Sequence, residues 1–236
     1  ASNTVVDHCY IYNSYCGVAS SYGAGGGAIS IGPGDKNITI SNCAIINSTA
    51  NHTYGGAISI RSPDCSLINV TIQDVQTLDS EAGAILWGGD NGFINNVTIY
   101  NSSTYVCNHN DKNVHGGAIY LLGSNCQLND IHITTTSTNI NDSSIGKSGY
   151  GGAIYVAGSE NVISNIEIDD SKALAVRMNA KGGAIYWEGS YGTLINASIS
   201  NSLANGEGGA IYWKGASATF ENISYEYSQT YVTESN

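Results

Sequence analysis

The sequence predicts an all-β fold, a parallel β-solenoid of about eight coils, and three observations carry that expectation. A run built on Gly-Gly-Ala-Ile recurs seven times: GGAISI from Gly26 and Gly55, AGAILW from Ala82, GGAIYL from Gly116, GGAIYV from Gly151, and GGAIYW from Gly182 and Gly208. A second motif, apolar-polar-Asn, two residues, then Ile, recurs eight times in forms such as ISNCAI, LINVTI and LINASI. Between these landmarks, runs such as "NVTIYNSS" alternate apolar and polar residues with a period of two, as half-buried strands do. No stretch has helical period and length. Self-similarity at 26 to 35 residues without helices means stacked coils.

The GGAI segment is the first element. Its glycine pair marks a sharp turn where positive φ carries no steric cost. The Ile and the residue two later (Ile31, Ile60, Trp87, Leu121, Val156, Trp187, Trp213) share one face, expected to be the core. The Ala and the residue two later share the other, and Ser30, Ser59, Leu86, Tyr120, Tyr155, Tyr186 and Tyr212 are expected to point outward.

From the Ile of GGAI to the Ile of the next Asn motif is 14 residues in six of seven cases (58 to 72, for example), while the return runs 12 to 21. All insertions therefore fall on one side of the coil, and the longest loops are read as 102–115 and 136–150.

The Asn motif is the second element. The residue after the Asn is apolar in every copy, so it and the closing Ile face inward. The Asn column (His8, Asn42, Asn69, Asn96, Asp130, Asn165, Asn196, Asn222) sits at a corner, where equivalent amides one coil apart can bond into a ladder. A second polar column follows five residues on, from Asn13 to Tyr227. Asp35, Asp64, Asn91, Asn125 and Glu160 recur six residues after the GGAI Ile and are read as turn residues.

The chain has 236 residues with repeats from end to end, so a single domain spanning 1–236 is expected, as part of a longer repeat protein. Eight basic against 19 acidic residues give a net charge of −11, which argues against nucleic acid and anionic membranes as partners. No apolar stretch suits membrane insertion. Six cysteines are too few and scattered for a disulfide framework, and Cys9 and Cys43 are column-mates read as buried thiols.

Tyr120, Tyr155, Tyr186 and Tyr212 form the leading candidate site, an aromatic strip suited to a sugar or protein partner. Stacking that merely stabilises the sheet is the plainer alternative. Glycoside cleavage needs paired carboxylates, and the one adjacent pair, Asp169 and Asp170, falls in a ladder column; the chain is therefore expected not to be an enzyme. The loop with Cys107, His109, Asp111 and His115 matches no zinc spacing, so neither metal nor cofactor is expected. Among the Asn-x-Ser/Thr sequons, Asn37, Asn51 and Asn141 look free for glycosylation.

The alternation of "GGAIYW" with "GTLINASISNS" resembles the adhesin-like proteins of methanogenic archaea. The GGAI half is also similar to chlamydial polymorphic outer-membrane proteins, whose Phe-x-x-Asn motif is matched at Phe93 to Asn96 but not in other coils. The resemblance implies a right-handed parallel β-helix displayed outside the cell, at a cell surface. It implies attachment to a glycan or protein of another cell. The alternatives are a stalk, sheath or filament subunit self-associating end to end and, third, a polysaccharide-degrading β-helix enzyme.

Overall fold

The computed structural model describes residues 2–17, 25–106, 113–140, 148–176 and 179–230. Every strand pairing among them is parallel, and none of these residues is helical. Eight strands stack in the longest sheet, with the Asn motifs on Thr39–Ile46, Ser66–Leu78, Phe93–Val106, Gln127–Ile140, Val162–Ala175, Thr193–Ser200 and Thr219–Glu226, preceded by Val5–Asp7. Seven three-residue strands, one per GGAI copy from Ile29–Ile31 to Ile211–Trp213, form a second sheet. Four two-residue strands, Val114–His115, Gly149–Tyr150, Ala180–Lys181 and Gly206–Glu207, form a third. The molecule is a β-solenoid of eight rungs on one side and seven on the other.

Register follows the columns read from the sequence. Val97 pairs with Val70 and Ile131, and Ile99 with Ile72 and Ile133. The inward columns are buried, including Ile45, Ile72, Ile99, Ile133 and Ile168, and they form the main core with the GGAI isoleucines.

Two expectations are corrected here. The GGAI alanines (Ala57, Ala84, Ala118, Ala153, Ala184) lie in the main core beside their isoleucines instead of on the opposite face. The reason is a kink in the ladder: the N–H groups of Ala118 and Ile119 both donate to the carbonyl of Ala153, so the alternation begins only at the Ile. The supposed loops also begin later than read, because the strands Phe93–Val106 and Gln127–Ile140 run straight past the second Asn column. Their inward residues there are Ser102, Thr104 and Val106, then Thr136, Thr138 and Ile140.

That continuation builds a second, smaller core of Val106, Val114, Ile140, Ala173, Ala175, Ala180 and Ala204. A buried hydroxyl seam separates it from the first. Ser48 donates to the Gly56 carbonyl, and Ser102 to that of Gly117 at 2.7 Å. Each hydroxyl satisfies a backbone acceptor near the glycine turn, which would otherwise be desolvated without a partner.

Trp87 and Trp187 fit the narrow core because glycine stands opposite, whereas Trp213 in the last coil has Ala218 at that position. A Cβ on Gly92 would come within 2.3 Å of the Trp87 ring, and one on Gly192 within 2.5 Å of Trp187. In the coils with smaller core residues, Leu121 and Val156, the same position holds Cys126 and Asn161. Asn161 is fully buried and fully bonded, accepting from Cys126 N and donating to the carbonyls of Gly123 and Gly158.

The corner ladders are present. Every residue of the first Asn column has φ between 51° and 57°, the left-handed region that Asn tolerates. Asn69 donates to Asn42, Asn96 to Asn69, Asn196 to Asn165 and Asn222 to Asn196, at 2.8–3.0 Å. The run breaks at Asp130, which has no amide; Asn165 reaches Asn129 instead. Asp64, Asn91 and Asn125 are turn residues as expected, with φ of 54–57° and their own side-chain bonds.

Candidate functional site

The short third sheet runs directly into the GGAI sheet through the glycine turn. Val114 points into the smaller core and His115 away from it. At Gly116, φ is 56°, and the chain turns so sharply that the outward side chains of the two sheets converge. The His115 ring lies 4.8 Å from that of Tyr120 and 4.6 Å from that of Tyr155. We term the angle between the two sheets, which the buried Tyr column fills, the groove.

The tyrosines are where the sequence places them, outside the main core, but they are not an open strip. Tyr120, Tyr155 and Tyr186 are only 8%, 5% and 5% exposed, and Tyr212 alone is half-buried. Their faces are used on one another: Tyr155 and Tyr186 stack at 4.8 Å, Tyr186 and Tyr212 at 5.1 Å. His115 and Tyr150 cover them from the side, with Tyr150 at 4.7 Å from Tyr186. In-register columns put like rings one rung apart, which is stacking distance, so flat faces are unavailable to a sugar.

The groove's chemistry lies on both banks. From the second copy on, the residue before each GGAI-type run reads Tyr54, Glu81, His115, Tyr150, Lys181 and Glu207. The residue after each GGAI strand reads Arg61, Gly88, Leu122, Ala157, Glu188 and Lys214 from the second copy on. Glu188 accepts from the Tyr155 hydroxyl and from the Lys214 ammonium. Those two donors hold its carboxyl below the usual range, Lys214 more strongly. Tyr155 is pushed far up by burial and then by its bond to Glu188. Burial raises Tyr186 to about 12. Lys181 reaches the Tyr212 hydroxyl at 3.2 Å and Glu207 at 3.3 Å. His115 Nδ1 lies 3.5 Å from Glu81, a distance that becomes an ion pair when the ring is protonated. Of these bank residues His115 entered the sequence reading only as part of a metal loop. Their shared signal is positional, a column flanking the motif, since their types vary from coil to coil.

Where Tyr gives way to Leu86, the floor dips. Tyr54, Arg61, Glu81, Leu86, Gly88 and Leu122 line a hollow of roughly 270 Å³. The Arg61 guanidinium stands over the Tyr54 ring at 4.6 Å.

The remaining candidates separate. Asn37 is a corner residue with φ of 54° whose amide donates to Asn3, and Asn51 ends the strand Thr49–Asn51, half-buried and donating to Tyr15. Asn37 is exposed at its turn, whereas Asn51 lies in a strand instead of a turn or loop. Asn141 lies outside the described residues, as do Cys107, His109 and Asp111 of the supposed metal loop. Among the described residues no cluster of three metal-ligating side chains occurs. Asp169 accepts from Ser200 and Asn201, and Asp170 pairs with Lys172, so the acidic pair is spent on ladder contacts. Cys9 and Cys43 are free thiols one rung apart, Cys43 buried and Cys9 half-buried.

Fold and site together define a parallel β-solenoid with a buried tyrosine column flanked by polar and charged residues. No family model and no curated protein sequence matches the chain. Among solved structures it is similar to the catalytic domain of a GH87 alpha-1,3-glucanase in complex with nigerose, at 12% identity and a TM-score of 0.24, over 91% of this chain and 61% of that one. The chain thus spans less than two thirds of that structure's length. The expectation that the chain is not an enzyme is withdrawn, the matched structure being a glycoside hydrolase domain. At such identity and TM-score, the match carries neither a reaction nor a substrate over to this chain.

Proposed function

We propose that the chain is an adhesin-like binding module, acting outside the cell at a cell surface, and that its groove takes an extended partner: a glycan or surface protein of another cell. One observation carries the reading. Consecutive rungs converge aromatic edges, carboxylates and ammonium groups, including Tyr155, Glu188, Lys181 and Lys214, into one channel parallel to the rod axis. A linear partner can follow such a channel rung by rung. Polar groups at fixed spacing above an apolar floor are what orient a ligand. The repeat-level resemblance to adhesin-like proteins supports the same reading.

Calorimetric titration against a panel of surface glycans, with Tyr155→Phe and Glu188→Gln alongside wild type, tests it. Binding by wild type, weakened at least roughly tenfold in Glu188→Gln, is expected, because a lost charge-assisted hydrogen bond is worth about 1.5–3 kcal/mol. Absence of binding to any glycan or cell surface would contradict it. Release of reducing ends in the same incubations would make the groove catalytic and displace the adhesin reading.

A further inference from the structure

The hollow at Leu86 differs from the rest of the groove in one respect. Elsewhere the charged bank residues pair directly, Glu188 with Lys214 and Lys181 with Glu207, and Glu81 lies 3.5 Å from the His115 ring. Arg61 does not pair so. Among the described residues no carboxylate pairs with its guanidinium, which stands against the Tyr54 face. In a chain with 19 acidic residues and eight basic ones, an arginine left without a carboxylate at the rim of a cavity is a vacancy for one.

We propose that this hollow binds one carboxylate-bearing sugar residue, a hexuronate or similar acidic sugar, within the glycan that lies in the groove. The inference rests on the groove being a glycan-binding surface. Arg61 takes the carboxylate through its planar fork, while the face of Tyr54 keeps the guanidinium from folding away. Leu86 and Leu122 offer an apolar wall to the C–H face of the ring. Glu81, held beside His115, accepts sugar hydroxyls on the opposite side. Gly88 leaves the mouth open; a Cβ there would meet nothing closer than 3.6 Å. An acidic peptide would satisfy Arg61 equally but would leave Glu81 facing further carboxylates, so the mixed charge of the hollow favours a ligand with one acid group and several hydroxyls.

The probes are a glucuronic-acid-containing disaccharide, its neutral glucose analogue and a short Asp/Glu peptide, titrated calorimetrically into wild type, Arg61→Ala and Leu86→Tyr. Leu86→Tyr installs the residue that the next four coils carry, filling the hollow without disturbing the column. Wild type is expected to bind the uronate at least tenfold more tightly than the neutral sugar, less so at high salt because the pair is solvent-accessible. Arg61→Ala should erase the difference, and Leu86→Tyr should abolish uronate binding with an unchanged unfolding midpoint. Equal affinity for the two sugars, preference for the peptide, or an unaffected Arg61→Ala variant would overturn the proposal. Glycan binding that is lost in Glu188→Gln but indifferent to Arg61→Ala would leave the groove reading standing and remove only this one.

Discussion

At the residue scale, the two glycines of the repeat do different work. The first has φ of 56–70° in five coils, and Ala82 adopts 65° in the coil that lacks it. The second is held by closeness between rungs: a Cβ on Gly152 would lie 2.1 Å from the Gly183 carbonyl oxygen, and one on Gly83 1.8 Å from that of Gly117. A Cβ on the first glycine is equally crowded, 2.0 Å from the Ile119 carbonyl oxygen at Gly116, and nothing in the structure explains why alanine stands at the first position in one coil. Gly152→Ala should cost about 1–3 kcal/mol or more, as overpacking does, read as a lowered urea midpoint. At the corner, Asn165 combines φ of 52° with two ladder bonds. Asn165→Ala should lose roughly 1–2 kcal/mol from the backbone alone, while Asn165→Gly should lose less. The turn role of the first glycine and of the Asn columns was legible in the sequence, because Gly and Asn are the residues that tolerate positive φ. The closeness that fixes the second glycine was not, since it is a contact between rungs, invisible within one repeat.

At the element scale, the constant 14-residue step from GGAI to the Asn motif specified two sheets and their register, and the structure keeps both. The extension of the long strands past the second Asn column escaped notice because its inward residues are Ser102, Thr104, Thr136 and Thr138, polar side chains that read as loop. Ser102 and Thr104 are inward with their hydroxyls donating to the Gly117 and Ser80 carbonyls, while the hydroxyls of Thr136 and Thr138 are buried without a partner among the described residues. The groove escaped for a related reason. It depends on the angle at Gly116 between two sheets, and its bank residues share a position without sharing a chemistry. Core packing offers a sharper test of the element. Gly192→Ala should destabilise the wild type, while in a Trp187→Leu background the added methyl should fill vacated space. A double-mutant cycle should then give a coupling of about 0.5–3 kcal/mol, favourable in the double variant. Additivity of the two changes would contradict the packing of Trp187 over Gly192.

At the scale of the whole molecule, stability should fall at both ends of the pH range. Hydrogen bonds from Ser41, Asn42 and His8 lower the Asp7 carboxyl to about 2, and those from Ser200 and Asn201 lower Asp169. A carboxyl with a depressed folded pKa stabilises fully above its unfolded value near 4, and the contribution disappears as pH falls from about 4 towards 2. Asp7→Asn should flatten that acid limb. Burial raises Tyr120, Tyr155 and Tyr186, so their contribution is complete below the unfolded value near 10 and is lost as pH rises beyond it. Tyr155→Phe should lessen the alkaline loss, followed by urea midpoints and tyrosinate absorbance.

The stacking of equivalent residues on successive rungs underlies groove, ladders and core alike. Thr71, Thr98, His132, Glu167 and Ser198 form one exposed column on the long sheet, each paired with the next. Spin labels placed pairwise along it, with the native cysteines replaced by alanine, read the stacking directly by pulsed electron resonance. In-register parallel rungs predict separations that grow by about 4.8 Å per rung, so that Thr71 to Ser198 spans roughly 19 Å. Separations that fail to rise with rung number would contradict the fold and everything built on it.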